Sequence, residues 1–453
     1  METKPASGFI WKPYKQKLAR LMSRVSHMMQ LRDANLKWLL FIAGILVIFL
    51  REPLFFLEPR LWAEEGTHYY AYAYHYSQGS LWYKGLLNVQ RGYFALWPNV
   101  ASTVAANLVP VEHAPLVTTL MALLIQLIPL GLIIWSNAEF WASPLKKITG
   151  MLIYLLTPLS GEIWLNTINS QFYLALAAIL ILIEPAENEG QRKWAYRLLL
   201  GMAGLTGPVS SILVPVYILL AWLAKERERA IQAIILGVCA IIQVGLLISS
   251  SASDKTIGMR LVDGRLYLLM FSMWTQSIGL LLGGKYWMGK LASWIIVGYE
   301  GGNIILVVMW IGLSILTVAL FWWLSVRLSV RERVIFLGSY SLMLGISYVG
   351  SLTGDKLELI VPGTGVRYFW VPNVIFGFLL MANVLNWANG KLRVWLCAIM
   401  LLIVLVLGGI SYNATLIASW EWPQWRTEIA LWQADPEHKI KIWPPGWEIT
   451  LLK

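Results

Sequence analysis

Long apolar runs separated by short polar breaks dominate this chain. The first extends from about Trp38 to Leu50, reaching Leu57 past Arg51 and Glu52. Later runs fall near 93 to 110, 114 to 135, 148 to 160, 171 to 183, 197 to 224 with a break at Gly207-Pro208, 230 to 248, 266 to 283, 303 to 325, 334 to 350, 371 to 387 and 394 to 410. About 20 apolar residues in a helix span a bilayer, so the pattern predicts an all-α fold: a polytopic transmembrane helical bundle of about ten spans. Residues 51 to 91 are too polar and aromatic to span. Within them, Thr67-His-Tyr-Tyr-Ala-Tyr-Ala-Tyr-His-Tyr76 suits a helix lying at the interface, where Tyr offers both ring and hydroxyl.

Charge orders these runs by side. Lys146-Lys147, Arg192-Lys193, Lys225 to Arg229, Arg327 to Arg333, and Lys391 with Arg393 occupy breaks between runs, and short basic loops favour the cytoplasm. Residues 51 to 113, 161 to 170, 249 to 265 and 351 to 370 then lie outside, joined by a tail from about 411. Parity adds two conditions: the run 93 to 110 must be interfacial or re-entrant, and only one net crossing fits between 266 and 325. The domain plan is a basic cytoplasmic arm (1–37), a polytopic domain (38–410) with a large outer loop (51–113), and a Trp-rich non-cytoplasmic tail (411–453). The arm carries Lys4, Lys12, Lys15, Lys17, Arg20, Arg24, Arg32 and Lys37 against Glu2 and Asp33, and no small-residue cleavage site follows, which reads as a retained signal anchor.

Composition agrees. Hydrophobic residues make up 58% of the chain and charged residues 13%, so its principal solvent is lipid. The net charge of +11 sits in the arm and short loops and reads as topology and contact with anionic membrane lipids, not nucleic acid. Cys239 and Cys397 lie within apolar runs and signal neither a disulfide framework nor a thiolate metal site. The five histidines form no HExxH, and neither a Walker motif nor a dinucleotide fingerprint occurs, so zinc and direct nucleotide use are not indicated.

Four polar constellations fall on the outer side. Glu64 and Glu65, in Leu61-Trp-Ala-Glu-Glu-Gly66, are adjacent and so about 100° apart if helical; one can act as a base while the other caps or pairs, and two solvated carboxylates at the interface are the plainer alternative. Glu162, Asn166 and Asn169, spaced four and three apart, share one helical face and, with Gln171, converge on sugar hydroxyls; interhelical hydrogen bonding is the plainer alternative. Gly363-Thr-Gly-Val-Arg-Tyr-Phe-Trp-Val-Pro372 delivers Arg367 to the start of a span, where a guanidinium can hold a phosphate or anchor the helix end. Arg260 and Arg265 lie beside Asp254 and Asp263, which favours local ion pairing. Trp420, Trp422, Trp425, Trp432, Trp443 and Trp447 suit interface anchoring or stacking on sugar rings.

Taken in order, Trp-Ala-Glu-Glu-Gly66, Arg91-Gly-Tyr-Phe94, Glu162 with Asn166, Asn169 and Gln171, Leu205-Thr-Gly-Pro208, Arg367-Tyr-Phe369 and Pro-Pro-Gly-Trp447 resemble a group of bacterial membrane proteins with the GT-C glycosyltransferase architecture. The acidic motif of that group usually reads Ala-Glu-Asp-Gly, and Glu65 stands where its Asp would be. The resemblance implies a GT-C-like bundle in the bacterial inner membrane, with its active site facing the periplasm or cell exterior. It implies transfer of a sugar from a polyprenyl-phosphate donor to a glycan or lipid acceptor of the envelope. Glu65, or failing that Glu64, would be the base, and Arg367 with Tyr368 would meet the donor phosphate. Glu162, Asn166, Asn169 and Gln171 would orient sugar hydroxyls or a Mg²⁺ or Mn²⁺ ion, with Arg91, His68 and Tyr93 nearby. The rival reading is a transporter or flippase for a lipid-linked or anionic substrate, although such proteins gather their charges near the bilayer midplane.

Overall fold

The computed structural model describes residues 33–77, 79–158, 160–186, 190–253, 265–351, 355–385, 390–412 and 424–452. They are mostly helical. In chain order the helices used below are α1 (Asp33–Arg51), α2 (Ala71–Ser77), α3 (Leu96–Leu108), α4 (Ala114–Ile134), α5 (Pro144–Leu156), α6 (Ser170–Ile183), α7 (Gln191–Leu205), α8 (Val214–Ala224), α9 (Arg227–Ser253), α10 (Leu268–Met273), α11 (Gly279–Glu300), α12 (Ile305–Ser325), α13 (Ser339–Val349), α14 (Arg367–Val384), α15 (Lys391–Tyr412) and α16 (Trp425–Ala434). Two small antiparallel hairpins pair β1 (Val89–Gln90) with β2 (Tyr93–Phe94) and β3 (Ile440–Lys441) with β4 (Glu448–Ile449).

Where about ten spans are expected, five helices among the described residues, α1, α4, α9, α12 and α15, are long and apolar enough to cross a membrane. Half of the most apolar stretch of α4 is buried, but the apolar side chains of the other four stay mostly exposed: only 6% of that stretch of α12 is buried, and Trp322, Trp395 and Ile241 project from the protein. Such a belt fits a hydrocarbon solvent and would be costly in water. The shorter apolar helices have a different solvent. All residues of α6 except Gln171 and nearly all of α14 are buried, so these two fill the bundle's centre, as helices without a polar face must.

Helix α3 has 13 residues and packs on α2, α4 and the turns around them, in a cap outside the bundle. From α10 to α11 the chain doubles back, with a kink at Gly284 (φ 78°), so that the hydroxyls of Tyr267 and Tyr299 meet at 2.8 Å. Gly207-Pro208 is a full reversal between α7 and α8, more than a break in one helix. Thr67 to Tyr76 differs from the expected interfacial helix: it is a π-helical turn (Glu65–Tyr70) running into α2, with Tyr69 and Tyr70 buried in the cap.

Basic residues from separate loops gather at one end of the bundle, where they cap helix carbonyls. Lys147 donates to the carbonyl of Ile134 at 2.8 Å, Arg192 to that of Trp135 at 3.1 Å, Arg229 to that of Ile181 at 2.9 Å and Arg331 to that of Glu184 at 2.8 Å. Cations belong there, at the negative ends of helix dipoles. At the opposite end sits the cap, with a small core of Leu61, Tyr70, Trp425, Trp432, Ile440 and Ile449. Trp425, Trp432 and Trp443 are buried in the protein and are therefore unavailable to a membrane interface or a sugar ring; their indoles pack the cap, and that of Trp425 donates to the carbonyl of Val111 at 3.0 Å. Trp447 is partly buried, and Trp420 and Trp422 lie outside the described residues. So do Arg260, Asp254 and Asp263, while Arg265 pairs with Asp355 at 3.0 Å.

Candidate functional site

The acidic motif is held from behind by the tail. Trp443 donates its amide to the Leu61 carbonyl at 3.1 Å and accepts from the Ala63 amide, bracketing Trp62 in a parallel bridge. Ile442 packs directly on Gly66, where a Cβ would lie 2.6 Å from Ile442 Cδ1 and push that side chain aside. Ala63 takes the left-handed conformation (φ 38°), and the two carboxylates that follow diverge. Glu65 turns inward, 1% exposed, where its carboxylate accepts from the Trp62 amide at 3.1 Å and from both the amide (2.9 Å) and the hydroxyl of Thr167. Burial pushes its proton affinity above the usual carboxylate range in spite of these donors. Glu64 instead faces a cavity of about 370 Å³. The expected order of preference between the two acids is thus reversed by geometry: Glu65 is the internal brace and Glu64 the accessible group.

Six other segments complete the cavity. The β1–β2 hairpin closes on Arg91 and Gly92, both at positive φ (52° and 86°), as a type I′ turn requires, and its tip carries Arg91 to within 3.3 Å of Glu64. Gly363 and Gly365, at φ 110° and 60°, shape the loop that places Arg367 as the first residue of α14. There Arg367 pairs with Glu162 at 2.7 Å and lies 3.4 Å from the Tyr368 hydroxyl. Asn169 and Gln171 enter from the start of α6, and Ser211 and Ile212 from the turn before α8. Val244 and Leu247 of α9 and Ile346 of α13 make the remaining wall apolar.

Of the residues singled out from sequence, Glu64, His68, Arg91, Tyr93, Asn169, Gln171, Arg367 and Tyr368 line this one cavity. Glu65, Glu162 and Asn166 do not. The helical face expected for Glu162, Asn166 and Asn169 does not exist. Gly161–Ile163 is a 3₁₀ turn, Leu165 is left-handed (φ 50°), and α6 begins only at Ser170. Asn166 accepts from the Asn169 amide at 3.1 Å and donates to the Glu162 carbonyl at 2.8 Å, so it staples the turn. These residues do not fit a divalent ion: Glu162 is committed to Arg367, the Asn166 oxygen accepts from Asn169, only the Asn169 oxygen is left over, and no group of three His, Cys, Asp or Glu side chains that could hold a metal occurs among the described residues.

Sequence reasoning passed over Tyr69, Ser211 and Gln243 in the cavity wall. Tyr69 hydrogen-bonds Tyr93, and burial raises both phenols so that they stay protonated. His68 is shifted down by burial and by Arg91, and stays neutral at pH 7. Gln171 Oε1 and Ser211 Oγ are buried without a hydrogen-bond partner, so the wall keeps unused polar capacity. Gln243 carried one signal, a lone amide in an apolar run. It grips β2 at both atoms, accepting from the Phe94 amide at 3.0 Å and donating to the Phe94 carbonyl at 2.9 Å.

Compared with known proteins, the chain matches no family model, no curated protein and no solved structure.

Proposed function

We propose that this cavity is the active site of a GT-C-type membrane glycosyltransferase that uses a polyprenyl-phosphate sugar donor. The observation that carries the reading is the cavity's division. One wall holds a carboxylate and two arginines, and the other, between α9 and α13, is apolar and faces the groove where an isoprenoid chain would lie. A ligand with an anionic head and an apolar tail matches both walls. Glu64 takes the proton of an acceptor hydroxyl as its oxygen attacks the anomeric carbon. The bond from that carbon to the phosphate oxygen breaks, and its electron pair leaves on the phosphate, which Arg367 and Arg91 stabilise. Direct displacement inverts the anomeric centre. Gln171, Ser211 and Asn169 orient sugar hydroxyls. The acceptor is an envelope glycan or lipid, and the setting is a bacterial inner membrane with the cap on the periplasmic side.

The test is sugar transfer by the purified protein from a panel of radiolabelled polyprenyl-phosphate sugars to extracted envelope acceptors. Glu64→Gln should lower the rate by about 10²- to 10⁴-fold, the usual worth of a general base, and Arg367→Ala by a comparable factor. Full activity in a folded Glu64→Gln variant removes Glu64 from the base role. Substrate crossing liposomes without a new glycosidic bond would replace the enzyme by a transporter.

A further inference from the structure

The two arginines of the cavity are held differently. Arg367 sits on Glu162 at 2.7 Å, a carboxylate outside the cavity wall, with the Tyr368 hydroxyl beside it. Arg91 reaches Glu64 through one nitrogen at 3.3 Å, with the two side chains 32% and 18% exposed. Among the described residues Arg91, which lines the cavity, makes no other hydrogen bond or ion pair, so most of the guanidinium's five N–H donors are unused by the protein. The groups around Glu64 are Arg91 and Tyr93 from the hairpin, His68 and Tyr69 from its own turn, and Arg367 with Tyr368 from α14. With His68 and the phenols neutral, Glu64, Glu162, Arg91 and Arg367 sum to zero, so an added anion must draw a cation away from a carboxylate. The looser pair is the one inside the cavity.

We infer that Arg91 is a shared cation: it neutralises Glu64 in the unliganded protein and turns to the phosphate of an incoming ligand, so phosphate and Glu64 compete for it. This rests on the reading above for the choice of phosphate as the anion. Its consequence is an order of events. Glu64 is masked until the phosphate is seated, and only then is its carboxylate released to accept a proton. Arg91 is thus a positioning residue for the base as well as a ligand for the anion, and its place at a two-residue hairpin tip lets one side chain swing between the two partners.

Binding to the full chain decides it, measured by calorimetry with a long-chain polyprenyl phosphate in detergent micelles and, separately, with inorganic phosphate. Removing the competitor should tighten binding, so Glu64→Gln is expected to lower Kd by about two- to five-fold, the upper range of a partly exposed ion pair. Arg91→Gln should weaken binding, and in that background Glu64→Gln should lose most of its gain. A residue with a merely structural role gives no gain at all. Affinity for the lipid alone places the phosphate on a lipid, affinity for inorganic phosphate alone on a soluble ligand, and the competition supports the inference in both cases. Wild-type binding with Glu64→Gln unchanged or weaker overturns it while leaving the phosphate reading intact. No binding of either probe by wild type overturns both.

Discussion

Glu64 and Glu65 show how one rotation along the backbone separates two chemically alike neighbours. Ala63, Arg91 and Leu165 are three of the four non-glycine residues at positive φ among the described residues, and each adjoins a cavity loop or its brace. Such conformations cost on the order of 1–3 kcal/mol and persist where the surroundings impose them. For Glu65 the surroundings impose burial, which raises its proton affinity, so folding favours the protonated acid. Its contribution to stability is full below the unfolded carboxylate range and is lost as pH rises through the raised value. Across that interval the melting temperature of wild type should fall more steeply than that of Glu65→Gln; parallel slopes would show that this acid is not the titrating group. None of this was legible in the pair itself, because adjacent identical residues carry no mark of which will face inward.

Loops that carry charge are tied down by amides from within apolar helices. Gln243 of α9 grips the hairpin of Arg91, and Gln276 donates to the carbonyls of Val361 and Thr364, both at 2.7 Å, and accepts from the Gly363 amide at 3.2 Å, in the loop that presents Arg367. Gln126 of α4 does the same more weakly for the Leu165 turn, at 3.4 Å. All three are at most 3% exposed. A polar residue in an apolar run is costly without a partner, and here each partner is a loop backbone. Gln276→Leu keeps the volume and deletes these bonds. It should cost roughly 1–3 kcal/mol for the groups left unpaired. It should also weaken binding of the phosphate ligand, because Arg367 loses its fixed approach; unchanged affinity in a folded variant would show that the loop holds itself. The apolar runs and the glycine-loosened approach to Arg367 were legible. The Glu162 to Asn169 face was not, since spacing of four and three describes a helix only if the backbone is helical, and Leu165 breaks it.

At the scale of the molecule, what was legible was charge. Loops chosen for Lys and Arg alone converge at one end, and the acidic loop, the hairpin and the Arg367 loop converge at the other. The tryptophan-rich tail was read as a surface feature because indoles suit interfaces, yet its packing partner, the apolar side of the outer loop, lies far away in sequence. Trp443 is 0% exposed, and Trp443→Ala should cost about 3–5 kcal/mol, the range for emptying a large aromatic site. Thermal unfolding checks that, and protease cutting near Trp62 should speed up in parallel. The bridge from Trp443 to Leu61 and Ala63 also bears on how the protein is made. The acidic loop leaves the ribosome hundreds of residues ahead of the Trp443 segment that fixes it, and in a bilayer the two could meet only if an even number of crossings separated them. A chain in which one intervening span failed to insert would strand the tail across the bilayer from its loop, so the bridge would double as an inspection of topogenesis.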